Sequence, residues 1–442
     1  MDKTATRRRL GLVAVAAAAL LAVTGSTVVA AGPNWPQFGH DDSHSGVNPA
    51  ETALNRTTVS GLTRLFTATL PGVADAPVVY RSGVATSSGT RNLVFAHTRN
   101  GWTVALDGAS GRVIWSRQVG PGSCRINNGS SICYTTSSAA VDPSGAYVYS
   151  YGLDGRVHKY VAGTGQEITT GGWPEVATVK GFDEKGSADL ALVTSHGTSY
   201  LFMANGGYPG DRGDYQGHVT AINLATGTQH VFNTACSNQA VHFASRRAPD
   251  CAHVQSAVWA RPGVTYDAAL DRVFLTTGNG DFAPSGHNWG DTVLALHPDG
   301  TGSGGDPLDT YTPTNYQSLQ DRDADLGSSA PVVIPAPTGS RVAQIGVQAG
   351  KDAQLRLLNL ANLSGRSGIG HTGGEVQILG VPQGGGVLTQ PVSWTDSSGT
   401  RWLFVANGSG ISGLRLTVSG GAPRLTAVWK TATGGTSPVR RA

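Results

Sequence analysis

Residues 93–119 read "LVFAHTRNGWTVALDGASGRVIWSRQV". Apolar and β-branched residues alternate with polar ones in short runs, and Asn-Gly, Asp-Gly and Ser-Gly interrupt the runs. That is the pattern of successive strands joined by tight turns. With "APVVYRSGVA" just upstream, the stretch predicts four antiparallel strands in a row. Related units follow: "SSAAVDPSGAYVYSYGLDGRVHKYVAGTGQEIT" (137–169), "ADLALVTSHGTSYLFMANGG" with "GHVTAINLATGTQHVF" (188–232), and "ARPGVTYDAALDRVFLTTGNG" with "DTVLALHPDG" (260–300). Two more begin at Ser329 ("SAPVVIPAPTGSRVAQIGVQAGK") and Thr389 ("TQPVSWTDSSGTRWLFVANGSG"). Their spacing of roughly 50 to 70 residues fits four-stranded propeller blades carrying insertions. A four-stranded sheet with two apolar faces cannot cover both alone, and radial stacking solves this while leaving only short edges. The expected fold is therefore all-β: a β-propeller of four-stranded antiparallel blades.

Composition agrees. The 442 residues are 39% hydrophobic and 14% charged, with 61 glycines, which excludes a disordered chain and suits one rich in turns. A net charge of +3 gives no reason to expect nucleic acid as a partner. Residues 1–31, "MDKTATRRRLGLVAVAAAALLAVTGSTVVAA", read as an export signal: arginines, an apolar run and small residues for cleavage. "TRRRLGL" comes close to a twin-arginine motif. The mature chain, 32–442, is read as one secreted propeller domain and a monomer, with no later run long enough to span a bilayer. Four cysteines outside the cell fit two disulfides. Three connectivities are possible, and the local pairs Cys124–Cys133 and Cys236–Cys251 are favoured because each encloses a polar loop.

The ends bear on the ring. "LTRLFTATL" (62–70) reads as a lone strand able to complete the last blade. "TSPV" (436–439) matches the unit starts "DAPV", "SAPV" and "TQPV", after which the sequence stops at "RRA". Six complete units and the start of a seventh imply a seven- or eight-blade plan whose last blade is incomplete, with truncation at the C-terminus as the expectation.

"NGWTVALDGASGRVIWSRQV" resembles the pyrroloquinoline-quinone (PQQ) repeat, in which a strand ends in ALD, a turn carries a Gly and a Trp follows. "NWPQFGHDDSHSGVNPA" (34–50) and "LNRTTVSGL" (54–62) resemble the N-terminal segment of quinoprotein dehydrogenases. The resemblance implies a planar quinone in the central channel, a Ca²⁺ that polarises it and an Asp that takes a proton from an alcohol. "TTGNGDFAPSGHNWGD" carries the family's Asn phrase and places Asn279 as a metal ligand, with Asp281 beside it. The family's chelating Glu is missing: "NGGY" (205–208) stands in its phrase, and Asp211 or Asp214 would have to substitute. After "YTP" (311–313) the position of the base is Asn315, and Asp321 or Asp323 would have to serve; Asp325 reads as a structural cap into the next strand. Trp259 is the candidate for stacking on the quinone, or else core. Lys351 in "AGK" is the candidate for a cofactor carboxylate, or else part of a turn. The family's adjacent cysteine pair is absent, and no CxxCH supports haem.

Two functions follow. The first is a secreted, non-catalytic binding or scaffold propeller with a degenerate cofactor site, taking a small molecule, glycan or protein on its face. The alternative is a PQQ- and Ca²⁺-dependent alcohol or sugar dehydrogenase. Convergence of the candidate carboxylates on Asn279 discriminates between them.

Overall fold

The computed structural model describes residues 34–120, 133–241 and 251–432. Six large antiparallel sheets follow one another along these residues, each built on four strands in sequence order; the third gains a fifth, Glu184–Gly186, and a two-stranded hairpin is inserted in the fourth. The first comprises Val79–Thr86, Gly89–His97, Trp102–Asp107 and Val113–Gln118. The second starts at Ala140, the third at Ala191, the fourth at Thr265, the fifth at Val332 and the sixth at Val392. The repeat read from the sequence is thus the repeat of the structure.

Side chains alternate across each strand, and the sheets stack accordingly. In Thr198–Gly207 of the third sheet, Leu201 and Met203 pack toward Tyr149 and Tyr151 of the second, while Phe202 packs toward Val273 and Leu294 of the fourth. In the fourth, Phe274 turns to Leu358 of the fifth, opposite Val273. Five such layers join the six sheets in order. Beyond the sixth sheet, Trp394, Ile411, Val428 and Trp429 are exposed.

The repeated turn has a concrete job. Asp107 Oδ1 accepts from the backbone N–H groups of Ala109 and Ser110 at 3.1 and 2.9 Å, and Gly111 supplies the positive φ, 72°, that closes the turn. Trp115 then donates its indole N–H to the Ala162 carbonyl of the second sheet at 2.7 Å, tying neighbouring sheets together. Asn223 and Asn359 take the place of Asp107 in the third and fifth sheets, accepting from Ala225 and Ala361.

The leading segment runs across one end of the stack and touches the first strand of five sheets. Trp35 bridges Tyr80, and the Pro36 carbonyl accepts from Val141 N–H at 2.8 Å. The Gln37 carboxamide pairs with both N–H and C=O of Leu192, at 2.6 and 3.2 Å. Asp42 C=O accepts from Tyr266 N–H, and a Cβ on Gly46 would lie 3.0 Å from Val392. First strands that share one short segment must converge, which is the radial arrangement of a propeller.

The expected strand at residues 62–70 is not formed among the described residues, where they pair with no ladder. The sixth sheet already has its fourth strand, Ala422–Ala432, so no place is left for them there. Phe66 lies on the Asp107–Gly111 turn instead, where a Cβ on Gly111 would meet its ring at 2.4 Å. Of the expected disulfides, Cys236–Cys251 is formed, with Cα atoms 6.0 Å apart. Cys133 is disulfide-bonded, while Cys124 lies outside the described residues, as do the export signal and the "TSPV" repeat start.

Gln37→Ala would strand the buried N–H and C=O of Leu192. A loss of about 1–3 kcal/mol is expected, read as a lowered melting midpoint, whereas Asn48→Ala in the same segment should leave the midpoint unchanged.

Candidate functional site

The insertion between the second and third strands of the fourth sheet carries "TGNG". Thr277 holds its base: its hydroxyl donates to Trp289 C=O and accepts from Thr292 N–H. A turn formed by positive φ at Asn279 is not what this loop uses, because Asn279 is not among the left-handed residues. Its side chain and backbone are engaged separately. Asn279 N–H donates to Asp325 Oδ1 at 2.9 Å, and its carboxamide donates to Asp211 Oδ2 at 3.1 Å. Asn279 is buried and brings together two carboxylates that are 114 residues apart in sequence (325 − 211).

Lys351 completes the group. Its ammonium lies 2.8 Å from Asp325 Oδ2, 2.9 Å from Asp323 Oδ1 and 5.2 Å above the Trp259 ring. Gly278 is required between these parts, since a Cβ there would meet Trp259 Nε1 at 2.9 Å. Burial works against the Lys351 ammonium, but Asp325 and Asp323 more than offset it and hold its pKa above the ordinary value. Burial also pushes the Asp325 carboxyl up, with Lys351 opposing the shift. Below them sits Asp291. Its Oδ1 accepts from Leu326 N–H at 2.9 Å, and its Oδ2 is buried without a partner among the described residues. Burial raises Asp291 to about 7.

The loop bearing Asp211 rests on a buried polar layer. Tyr215 donates its hydroxyl to Asp211 Oδ1 at 2.6 Å. Next to it, Gln216 N–H donates to Glu184 Oε1 at 3.1 Å, and Lys180 Nζ reaches Gln216 Oε1 and the Asp214 carbonyl. Burial raises the Glu184 pKa. A second charged cluster follows Trp259 in sequence: Arg261, with Arg99 and Lys185, gathers around Asp75 and Tyr134. Arg261 lies 3.5 Å from Asp75 and donates to Thr136 C=O, Lys185 donates to Ser187 Oγ at 3.0 Å, and Arg99 covers the Tyr134 ring at 4.1 Å. Burial, with Arg261 and Arg99 nearby, lowers Lys185 to about 7.

The residues expected from sequence divide into two sets. Asn279, Asp211, Asp323, Lys351 and Trp259 meet here. Asp281 points away, its carboxylate 2.5 Å from His253 Nδ1 and exposed. Asp321 ends the helix Tyr316–Asp321 on the surface, accepting from Gln317. Asp214 pairs with Gln216 and with Lys180 at 3.8 Å. Tyr208, in the place of the family's Glu, donates its hydroxyl to Gly181 C=O at 3.0 Å. Asp325 does more than cap a turn: it holds both Asn279 and Lys351. Its signal in the sequence was the apolar "LGSSAPVV" after it, which predicts burial where Asp321 and Asp323 predict solvent.

Comparison with known proteins bears on this site. The family profile described as "PQQ: Glucose/ethanol/alcohol dehydrogenase, beta-propeller domain" matches residues 35–297. No curated protein sequence matches. Among solved structures, the chain is similar to a quinohemoprotein alcohol dehydrogenase from Pseudomonas putida HK5, at 15% identity and TM-score 0.60 over 90% of this chain and 60% of that one. It is also similar to the quinohemoprotein alcohol dehydrogenase from Comamonas testosteroni, at 17% identity and TM-score 0.58 over 90% and 67%. A europium-containing methanol dehydrogenase aligns at 15% identity and TM-score 0.57 over 89% and 72%. The chain spans about 60% of the length of the first of these, and at such identities the likeness is one of fold.

Asp291→Asn should stabilise the protein at neutral pH. A carboxyl raised in the folded state binds more protons folded than unfolded, so its contribution falls as pH rises from its ordinary value near 4 to about 7. Asn can keep the bond from Leu326 and tolerates the φ of 46°. The expected readout is a smaller drop in melting midpoint between pH 5 and 7.5 than in the wild type.

Proposed function

The chain belongs to the PQQ β-propeller family of glucose, ethanol and alcohol dehydrogenases, and on that footing we propose that its channel mouth binds a PQQ-type quinone with a divalent cation and oxidises an alcohol or sugar hydroxyl. The observation that carries this reading is the convergence of Asp211, Asp325 and Lys351 on Asn279 beside Trp259.

Among the described residues no three acidic, His or Cys side chains are gathered as a metal site; what supports the reading is the charge and type of the donors near Asn279. Asp323 and Asp325 face the Lys351 ammonium and Asp211 joins Asn279 beside them, three carboxylates to one cation, which leaves net negative charge of the kind a hard cation requires; the Asn279 carboxamide and Asp211 are oxygen donors of the right type. The missing Glu makes the set sparser than the family pattern, and Asp211 is the carboxylate that stands in. PQQ is planar and carries carboxylates; Trp259 offers a ring face, and Arg261, two residues further on, with Lys185 and Arg99 offers positive charge. When bound, the quinone with its cation supplies the hydride acceptor. The protein's part is to hold the substrate hydroxyl and take its proton. Asp325 is the acceptor the geometry favours: it is buried, and Lys351 stabilises the charge it carries after giving the proton up again. Asp323, largely exposed, completes the pairing of Lys351. The Cys236–Cys251 disulfide supports an exported protein, because such bonds persist in oxidising compartments. Among the described residues no helix is long and apolar enough to cross a membrane.

Melting curves with and without PQQ and Ca²⁺ test the reading. Ligand at 100 times its Kd adds about 2.7 kcal/mol, and the resulting upward shift should vanish in Asn279→Ala. Asp325→Asn keeps an acceptor for Asn279 N–H and should retain the shift, while dye-linked oxidation falls by about 10²–10⁴-fold. In the wild type, oxidation should rise with pH as Asp325 ionises, at a pH above the ordinary carboxylate range. A folded protein that shows no shift would return the function to non-catalytic binding or scaffolding.

A further inference from the structure

The outer face of the sixth sheet repeats the face that the first sheet presents to the second. In the first sheet, cross-strand pairing sets Val79, Phe95, Ala105 and Trp115 in one row, and a bulge follows between Ala105 and Leu106. Side chains paired across strands share a face, and this row packs on Val141, Val148 and Tyr160 of the second sheet. In the sixth sheet the corresponding row is Val392, Phe404, Gly413 and Trp429, with the same bulge between Gly413 and Leu414. The aromatic pair keeps its geometry too. Phe95 and Trp115 have centroids 5.9 Å apart at 47°, and Phe404 and Trp429 have theirs 6.1 Å apart at 38°.

What differs is the cover. Trp115 is buried against Gly165 of the second sheet, whereas Trp429 is 41% exposed. Trp394, paired with Trp402 in the neighbouring row, and Ile411 are exposed beside it. Three tryptophans, Phe404 and Ile411 thus form one apolar patch, while Leu403, Val405 and Leu414 on the opposite face already pack on the fifth sheet. A contiguous exposed apolar patch of this kind marks an association surface, and its match to the first row says that the surface is shaped for another sheet.

The other end of the stack is already occupied. Gly111 corresponds to Gly165, since their N–H groups close equivalent turns on Asp107 C=O and Val161 C=O, both at 2.8 Å. Trp115 sits on Gly165, and Phe66, from the segment ahead of the first sheet, sits on Gly111. The place that a tryptophan of a preceding sheet would take is therefore filled by the chain itself. Head-to-tail stacking of copies, sixth sheet on first, would have to displace Phe66. A second molecule instead offers the same open face, and two identical faces meet in a closed two-fold contact. Arg415 and Arg424 lie on this face, paired with Trp402 and Thr417, and its four strands contain no carboxylate.

We infer that, in place of the monomer expected from the sequence, the outer face of the sixth sheet is a self-association surface on which a second copy docks, sixth sheet to sixth sheet. Trp394, Ile411 and Trp429 are the side chains that bury there.

Sedimentation velocity of the mature protein over a wide range of concentrations tests the inference. A reversible monomer–dimer equilibrium is expected, and added salt should strengthen it by screening the arginines that both copies bring to the contact. Trp429→Ala should weaken the dimer by at least about tenfold, as for a central aromatic anchor. Ile411→Arg adds a like charge to both faces and should abolish it; Ile411 is exposed, so this variant should melt with the wild type. Val113→Arg changes an exposed residue on the opposite face of the first sheet, paired with Leu106, and should leave the dimer unchanged. A wild type that stays monomeric throughout would overturn the surface in favour of a cover from elsewhere in the chain. A dimer that survives Ile411→Arg, that is lost in Val113→Arg, or that salt dissociates would overturn it as well.

Discussion

Among the described residues, the second to fifth large sheets each have two apolar faces, and neither can be covered from within the sheet. Alternation along a strand sends Leu201 and Met203 one way and Phe202 the other, so each sheet needs a neighbour on both sides. Radial stacking follows, and with it the convergence of the first strands on residues 34–47. The contacts between sheets that are polar, such as Trp115 to Ala162, are few and placed at turns. Once the faces are spent on packing, only strand ends and the loops that join them remain free to carry chemistry.

The candidate site illustrates what that division costs and permits. Asn279, Asp291 and Asp325 are polar groups in a buried place, and burial, with a neighbouring carboxylate in each case, raises both carboxyls. Asp325 is kept useful by Lys351, and Asn279 by the two carboxylates it joins. Asp211 lies on a longer loop, and the layer of Glu184, Gln216 and Lys180 beneath that loop fixes where it comes to rest.

How far the sequence disclosed this depended on the range of the interaction involved. The blade repeat was legible because period-two alternation and the Asp–Gly–Trp turn are local, and Asp107, Gly111 and Trp115 act in the structure as their spacing implied. Cys236 and Cys251 were legible for the same reason, lying on one short loop. Residues 62–70 alternate like a strand but pair with no ladder among the described residues, and the repeat start whose blade they would complete, 436–439, lies outside those residues.

The sequence by itself determined the architecture, the family and the place of Asn279, because turns, alternation and short motifs are written within a few residues of one another. Only the tertiary structure decided which carboxylates meet that Asn. Asp321, Asp323 and Asp325 are equivalent as letters, yet a six-residue helix leaves Asp321 in solvent, Lys351 holds Asp323 at the exposed rim, and the burial of Leu326 to Ser328 carries Asp325 beneath Asn279. Which way a side chain points at the end of a loop is set by the partners that loop finds, and those partners are 28 residues away for Asp323 (351 − 323) and 46 for Asp325.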